Sequence, residues 1–573
     1  MDRTAAPLGA QRLLRLTPLL ALVFILSGVP LIFLVTNSFN KQPIPGFGEP
    51  GFTLEHYAKL ASDEFIGPAI NTVIYAIAKT AIVISGALTL AWITVRTNVP
   101  FKRFIDAIVI LPALLPSTMY YVGWGLLLSP RGSVNRFLQD LLGLGGPPIN
   151  AYSLGGVIIA GSMHVLPLLY LILRPALINL NPEYEEAARL AGSSSIGTYL
   201  RVNLPLLRPA ALIATIISFV KGIESFTPFI FLGAPARINS MGTKMVEVMQ
   251  RQVPPDFGFA TAIGVFLVAL TAGFLYLYRK ATQMTRRYVT ITGIAYRPRP
   301  MDLGRARYLV GFAVMTLLLL ISIPPIFMTV INSFLPFGMP LNLDIFRSMT
   351  LAAYAEVFND PLLFTALGNT VFLLVSASLF IMFLATIITY TSIRTKIPGK
   401  SVLYSAAVVP LAVPGVALGL AVLWTYVATP LYGTVFVLII AATAKLLPNA
   451  VAISSQVMHQ IGGEIEEVSR VTGASWQFTF GRIILPLSFT AFLPGLSYLM
   501  VNMIGELDYV ILLRTSQSEV LATMIWSNWV GGYLPIATAL GTITLVLGFV
   551  AFFIPRVLEG RLWVTVKARR GRP

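Results

Sequence analysis

Long apolar runs separated by short polar segments dominate the sequence from end to end. A helix of about twenty residues crosses the hydrocarbon layer of a bilayer, whereas a lone strand would leave its backbone polar groups unpaired in lipid. The pattern predicts twelve transmembrane helices, over residues 15–36, 69–94, 105–129, 154–178, 207–232, 258–279, 308–332, 363–391, 403–427, 434–457, 489–513 and 536–556. The first run is long enough to span and no small-residue cleavage site follows it, so we interpret it as an uncleaved helix.

Composition supports a membrane protein. Hydrophobic residues make up 56% of the 573 residues and charged residues only 11%, against roughly 25% charged residues in soluble domains. The net charge of +17 comes from Lys and Arg in short loops after spans 2, 4, 8 and 10, between spans 6 and 7, and in the tail. All of these loops fall on one side if both termini are cytoplasmic, as the positive-inside rule requires. This placement predicts a multi-pass protein of the bacterial inner membrane and argues against nucleic-acid binding.

The residues that commonly carry metals and enzyme chemistry are scarce. The chain has no cysteine and only three histidines, which lie far apart at His56, His164 and His459. Thiolate chemistry is thereby excluded, and we predict neither a metal site nor a cofactor. No clustered acid, base and nucleophile points to a membrane-bound enzyme.

The second half of the sequence repeats the first. Asn71-Thr72-Val73 and Arg96-Thr97 recur 298 residues later as Asn369-Thr370-Val371 and Arg394-Thr395, and Pro112 and Pro116 recur at the same shift. Leu166-Pro167 recurs as Leu447-Pro448, 281 residues later. Seventeen residues are therefore missing from the second half, between spans 9 and 10. The prolines inside spans are candidate kinks.

Six spans in each half give both halves the same orientation, which is a parallel repeat. The predicted fold is an all-α integral membrane protein of twelve helices in two parallel six-helix repeats. The expected divisions are a first half at 1–279, a basic linker at 280–307 and a second half at 308–573.

A motif recurs in the loop after the fourth span of each half. Glu186-Ala187-Ala188, Gly192 and Leu204-Pro205 correspond at identical spacing to Glu467-Val468-Ser469, Gly473 and Leu485-Pro486. Asn181-Pro182 suits a helix start, and three glutamates follow it where the helix dipole favours anions. Each glycine suits a left-handed helix end, and each proline suits the first turn of the next span. The motif thus predicts a short cytoplasmic helix, a glycine break and a second helix.

This pattern resembles the E-A-A-x3-G-x9-I-x-L-P signature of binding-protein-dependent ABC importer permeases, with Val202 replacing isoleucine in the first copy. The resemblance covers almost the whole chain and extends to fused ferric-iron-type permeases through Glu506-Leu507, Leu512-Leu513-Arg514 and Leu521-Ala522-Thr523. It implies the type I importer fold, with two ATP-binding subunits docking on the cytoplasmic loops and a periplasmic or lipid-anchored solute-binding protein docking outside. It implies ATPase-coupling roles for Glu186, Ala187, Ala188, Arg189, Gly192, Leu204, Pro205, Glu467, Val468, Ser469, Arg470, Gly473, Leu485 and Pro486. The departure at Val468-Ser469 bears on how tightly the second copy docks.

The chain lacks a nucleotide-binding loop of its own. The lone Gly399-Lys400-Ser401 has Arg394 where a phosphate-binding loop needs its first glycine. The resemblance therefore implies a transport subunit that works by ATP-driven alternating access, with ATP hydrolysed on a separate subunit.

Charges inside apolar spans mark possible translocation paths, because they are costly in lipid. Glu224 lies in span 5 and Glu506 and Asp508 lie in the equivalent span 11, and we predict that they line the path. The alternative is structural, since Lys221 and Glu224 lie three residues apart on one helical face and can pair with each other.

Substrate identity rests on resemblance. Ferric iron is the first expectation, because hard metal ions prefer oxygen ligands, and phosphonate, thiamine or polyamine are the alternatives. An ion-gradient-driven secondary transporter would also show twelve spans and parallel repeats, but it would not explain the paired motif.

Overall fold

The computed structural model describes residues 16–41, 51–181, 183–285, 300–336, 345, 347–395, 397–462 and 464–570. These residues are overwhelmingly helical, as predicted. The first half contains helices α1 Thr17–Asn37, α2 Asp63–Arg96, α3 Lys102–Leu114, α4 Ser117–Leu128, α5 Ser133–Leu142, α6 Leu154–Ile178, α7 Glu183–Leu190, α8 Ile196–Leu206, α9 Arg208–Ile223, α10 Met241–Gln250 and α11 Phe257–Thr285.

The second half repeats this order without a counterpart of α5. It contains α12 Ala306–Asn332, α13 Ala352–Asn359, α14 Pro361–Arg394, α15 Lys400–Val408, α16 Gly415–Tyr426, α17 Val435–Gln460, α18 Glu464–Val471, α19 Trp476–Thr479, α20 Leu485–Ile504, α21 Leu521–Val530 and α22 Leu534–Arg570. Shorter turns lie at Glu55–Ala58, Lys59–Ala61, Phe229–Gly233, Ala234–Ala236, Val409–Ala412 and Val510–Leu513. Both α2 and α14 have 34 residues and start 298 residues apart, so the predicted shift holds at the level of whole helices.

In the described part of the chain, eight helices are long and apolar enough to span a membrane, and four bent pairs bring the count to twelve when each pair is one span. The prediction of twelve is met only in this way. Predicted spans 3 and 9 are broken. Segments Lys102–Leu114 and Ser117–Leu142 meet at 99°, and segments Lys400–Ala412 and Gly415–Tyr426 of the second half meet at 111°. Pro116 and Pro414 stand at these breaks, so the predicted proline kinks are confirmed there, whereas Pro167 and Pro448 lie inside continuous helices.

The repeated pairs Asn71-Thr72 and Asn369-Thr370 make equivalent hydrogen bonds in both halves. The Asn71 amide donates to the Asn239 carbonyl, and the Thr72 hydroxyl accepts from the first N–H of α10, Met241, at 2.9 Å. In the second half the Asn369 amide donates to the Gln517 and Glu519 carbonyls, and the Thr370 hydroxyl accepts from the first N–H of α21 at 3.0 Å. Each pair therefore holds the start of a short helix against a long span.

The first helix of each half packs on the other half. α12 lies against α3 and α4, and α1 lies against α16. The fit is close, since a Cβ placed on Gly123 would lie 2.2 Å from the carbonyl oxygen of Pro325. The two halves are thus interlocked, which the order of spans along the sequence did not indicate.

The segment between the helices of the two halves is shorter than the predicted linker at 280–307, because α11 continues to Thr285 and α12 begins at Ala306. Residues 286–299, with four of its arginines, lie outside the described residues. Its end is attached to the end of α2, where Met301 N–H donates to the Arg96 carbonyl at 2.8 Å and Asn98 N–H donates to the Met301 carbonyl at 3.0 Å. The Gly304 N–H and the Asn98 amide hold the pKa of Asp302 below its usual range, so this carboxylate stays charged as it binds them.

Candidate coupling loops and central charge cluster

Helices α7 and α18 lie at the end of the bundle where α2 and α14 finish; we call the opposite end the distal end. The Asn181 side chain accepts from the Glu183 N–H at 3.0 Å and caps α7, as predicted, while Pro182 lies outside the described residues. Gly192 and Gly473 have φ of +80° and +79°. Both glycines therefore end their helices in the left-handed conformation that the spacing predicted.

One buried ion pair attaches each of these helices to the long span beside it. Arg96 Nε lies 2.7 Å from Glu185 in the first half, and Arg394 Nε lies 3.7 Å from Glu466 in the second. All four side chains are largely or wholly buried. The acidic residues next to the predicted Glu186 and Glu467 thus face inward and anchor the helices.

The same arginines also tie in the preceding span. Arg96 donates to the carbonyls of Leu177, in the last turn of α6, and of Leu180, just after it, at 2.9 and 3.4 Å. Arg394 donates to the equivalent carbonyls of Met458, at 2.6 Å, and Ile461. A guanidinium can serve several acceptors at once because its five donors lie in a fixed fork. Each arginine therefore joins three segments at one point.

An aromatic pair in each half attaches the segment that follows the loop helix to the same long span. The rings of Trp92 and Tyr199 lie 5.3 Å apart, and those of Tyr390 and Phe480 lie 5.0 Å apart. These positions are related by the same shifts of 298 and 281 residues as the arginine contacts. The unit of α7 and α8, like its counterpart of α18 and α19, is thus held at two points on its own half.

The outward faces of α7 and α18 expose large apolar side chains among charged ones. Leu190 is 90% exposed and Val471, its counterpart, is 88% exposed. Tyr184 and Ile465, six residues earlier in each helix, are also exposed. Large apolar side chains left this open mark a surface for a partner.

The predicted coupling residues divide between this surface and the attachment side. Those exposed are Glu186, Ala187, Arg189, Gly192, Glu467, Val468, Gly473 and Pro486. Those partly buried are Ala188, Leu204, Pro205 and Leu485, and the side chain of Arg470 lies outside the described part of the chain.

The departure of the second motif at Val468-Ser469 has a local explanation. Ser469 is buried, and its hydroxyl pairs with the Thr479 hydroxyl at 2.8 Å. In the first half the equivalent Thr198 hydroxyl faces an alanine and has no hydrogen-bond partner among the described residues. Ser469 therefore stabilises the loop from inside, and only Val468 changes the exposed face.

A second candidate site lies in the centre of the bundle, where the broken helices meet. The predicted path residue Glu224 is buried at the end of α9, 3.8 Å from Lys221 and 3.5 Å from Lys445 of α17. The Lys445 ammonium also donates to the Val413 carbonyl at 3.0 Å. The predicted pairing of Lys221 with Glu224 is confirmed, and the shorter contact crosses between the halves.

The other two predicted path residues lie in the same cluster. Asp508 accepts from the Thr227 hydroxyl at 2.9 Å, again across the halves. Glu506 has Asp508 and Lys445 as its strongest electrostatic neighbours. The backbone comes close here, since a Cβ on Gly505 would lie 2.7 Å from the Ser117 nitrogen. The structure thus brings all three predicted acids together at the joints of broken helices, where transporters place their substrate sites.

Lys79 completes the cluster and is fully buried. Its ammonium has no hydrogen-bond partner among the described residues and lies 5.6 Å from the centre of the Tyr75 ring. Its helix packs tightly on the helix of Glu224, because a Cβ on Gly222 would lie 2.6 Å from Ala76 Cα. Within the described residues no three His, Asp or Glu side chains are arranged to hold a metal ion.

The paired loops and the duplicated architecture correspond to a known protein family. The sequence profile of the binding-protein-dependent transport system inner membrane component matches residues 81–286 and again residues 393–564. The chain belongs to this family. It is the permease subunit of an ABC importer, carries two copies of the family domain in one chain, and is a multi-pass protein of the inner membrane.

Named relatives of the permease transport different solutes. It is 25% identical over 484 residues to the ferric transport system permease protein FbpB of Actinobacillus pleuropneumoniae, covering 82% of this chain and 68% of that one. It is 29% identical over 199 residues to the sulfate transport system permease protein CysT of Salmonella typhimurium, covering 35% of this chain and 69% of that one. It is also similar, at 22% identity and a TM-score of 0.40, to a chain in the crystal structure of a bacterial alginate ABC transporter in complex with a pentasaccharide-bound periplasmic protein, covering 49% of this chain and 95% of that one.

The sequence patterns did not predict a role for three residues of the permease that the structure brings forward, namely Glu185, Lys79 and Lys445. Glu185 was treated as one of several dipole-favouring acids, and only the repeat shift linking it and Arg96 to Glu466 and Arg394 could have singled it out. Lys79 and Lys445 lie inside predicted spans, so the rule that intramembrane charges mark functional sites would have found both.

Proposed function

We propose that the permease moves its solute by ATP-driven alternating access, with one ATP-binding subunit gripping α7 and a second gripping α18. The exposed apolar side chains of Leu190 and Val471, one on each loop helix, are the observation that carries this proposal. Glu186 and Glu467 flank these side chains and supply acidic contacts. The buried arginine pairs then transmit the movement of each gripped helix to the long span of its own half.

Family membership favours this mechanism over an ion-gradient-driven secondary transporter. The orientation follows from the positive-inside rule, so α7, α18 and both termini lie in the cytoplasm. A periplasmic or lipid-anchored binding protein would then deliver solute at the distal end. The divisions at 1–279, 280–307 and 308–573 fit this scheme as two moving halves and a connection.

The docking proposal is tested with Glu186→Arg plus Glu467→Arg in membranes that also contain the partner ATPase. Charge reversal at both contacts is expected to abolish co-purification of the ATPase and the stimulation of ATP hydrolysis by the permease. The matched control is Glu55→Arg plus Glu356→Arg, which makes the same charge change at two exposed positions of the distal end. Normal coupling in the first variant, or equal loss in both, would contradict docking at α7 and α18.

We propose that Glu224, Glu506 and Asp508 line the translocation path and that contacts between the halves close the path at this level. The ion pair of Glu224 with Lys445 and the hydrogen bond of Asp508 with Thr227 both cross between the halves. A rocking of the halves would break both contacts together. The carboxylate oxygens of these acids would then face the solute, and oxygen atoms are the ligands that a hard cation prefers.

Ferric iron is the proposed substrate, supported by the relative that matches over most of the chain. Sulfate, phosphonate, thiamine and polyamine are the alternatives. Proteoliposomes holding the complex with its binding protein are expected to accumulate iron-55 supplied as a ferric chelate. Accumulation of sulfur-35 sulfate, with no iron uptake, would assign the permease to anions.

A further inference from the structure

Helix α5 belongs to the first half alone, in the segment that the second half lacks. Its sequence places apolar residues at 134, 137, 138, 141 and 142 and polar residues at 135, 136, 139 and 140. With 3.6 residues per turn, the apolar positions form one continuous face and the polar positions form the other. This ten-residue helix is therefore strongly amphipathic.

A buried asparagine fixes α5 at the distal boundary of the membrane. The Asn135 amide donates to the carbonyls of Leu128 and Ser129, at 3.2 and 2.7 Å, where α4 ends. Its oxygen accepts from the Ile149 N–H at 3.0 Å, a few residues before α6 begins. Because α4 and α6 are parts of membrane spans, these bonds hold α5 at the level where the spans leave the hydrocarbon layer.

The apolar face of α5 is only partly used by the protein. Val134 and Leu138 are half-buried, whereas Phe137 is 63% exposed and Leu141 is 65% exposed. Comparable exposure occurs on the sides of the spans, as at Phe364 of α14. The exposed face of α5 is thus apolar like the lipid-contacting sides of the spans, and it lies at the level where those sides end.

We propose that α5 lies in the outer lipid interface, with Phe137, Leu141 and Leu142 inserted among the acyl chains. The polar face carries one cation, Arg136, and one anion, Asp140, so the attraction is apolar and does not depend on anionic lipid. The helix ties the outer end of α4 to the membrane plane. Among the described residues of the second half no helix corresponds to α5, so this attachment belongs to the first half.

The absence of native cysteine allows a direct test. Single variants Phe137→Cys, Leu141→Cys and Gln139→Cys are spin-labelled in phosphatidylcholine vesicles, and their relaxation by oxygen and by a water-soluble nickel chelate is compared. Labels at 137 and 141 are expected to respond mainly to oxygen, and the label at 139 on the polar face mainly to nickel. Replacing part of the lipid with phosphatidylglycerol is expected to leave this contrast unchanged.

Equal nickel accessibility at all three positions would overturn the proposal, because α5 would then stand in water. Loss of nickel accessibility at 137 and 141 only after a solute-binding protein is added would assign the face to that protein. Each labelled variant is first checked for monodisperse extraction. Leu142→Cys replaces a failed variant of the apolar face, and Asp140→Cys replaces Gln139→Cys on the polar face.

Discussion

Removing the carboxylate of Glu185 would leave the Arg96 guanidinium buried without its counter-ion. Breaking a buried ion pair from one side costs about 3–5 kcal/mol. At about 1.4 kcal/mol for each tenfold change, the ratio of attached to detached α7 would fall by roughly a hundred-fold to a few thousand-fold. Glu185→Gln is therefore expected to detach α7 while leaving the spans folded.

Amide hydrogen exchange measures this effect with an internal reference. In Glu185→Gln, exchange is expected to rise sharply in residues 183–190 and to stay unchanged in residues 464–471. The matched variant Glu466→Gln is expected to reverse the pattern with a smaller change, because its ion pair is 3.7 Å long against 2.7 Å in the first half. Coupling to the ATPase is expected to fall with the attachment.

An unchanged exchange rate in residues 183–190, together with full coupling, would refute this reasoning. The double variant Arg96→Leu with Glu185→Leu separates charge from contact. It removes the unpaired charge but also the bonds to the α6 carbonyls, so it is expected to recover only part of the protection.

Three further predictions concern single positions. Gly192→Ala is expected to lower stability by about 1–2 kcal/mol, because φ is +80° there, and a thermal-shift assay would detect it; a gain in stability would contradict the assigned helix end. Ser469→Ala is expected to cost about 1 kcal/mol for the lost bond to Thr479, and Ala188→Ser is expected to add the missing bond in the first half, both measured by the same assay. Glu224→Gln is expected to abolish solute uptake while ATPase docking survives, whereas normal uptake would exclude Glu224 from the path.

The sequence was informative where the signal is periodic or repeated. Span number, the parallel duplication and the glycine-ended loop helices follow from hydropathy and spacing, which are local properties. Prolines inside the spans predict where breaks such as those at Pro116 and Pro414 occur. The angles of the breaks depend on the helices that pack against them.

Contacts between distant segments were beyond such reasoning. Neither the exchange of α1 and α12 between the halves nor the pairing of Glu224 with Lys445 leaves a periodic trace in one sequence. The inward role of Glu185 was hidden for the same reason, since three glutamates in one helical turn look alike until a partner for one of them is placed.

The contact between Glu224 and Lys445 has a consequence for how this transporter can evolve. In a pore built from two copies of one polypeptide, any substitution is made twice, so an acid and a lysine facing each other across the axis would be mirrored by a second such pair. Joining both copies into one gene removes that constraint. The acid can then lie in one half and the base in the other, and each half can adapt to the solute without changing the other half.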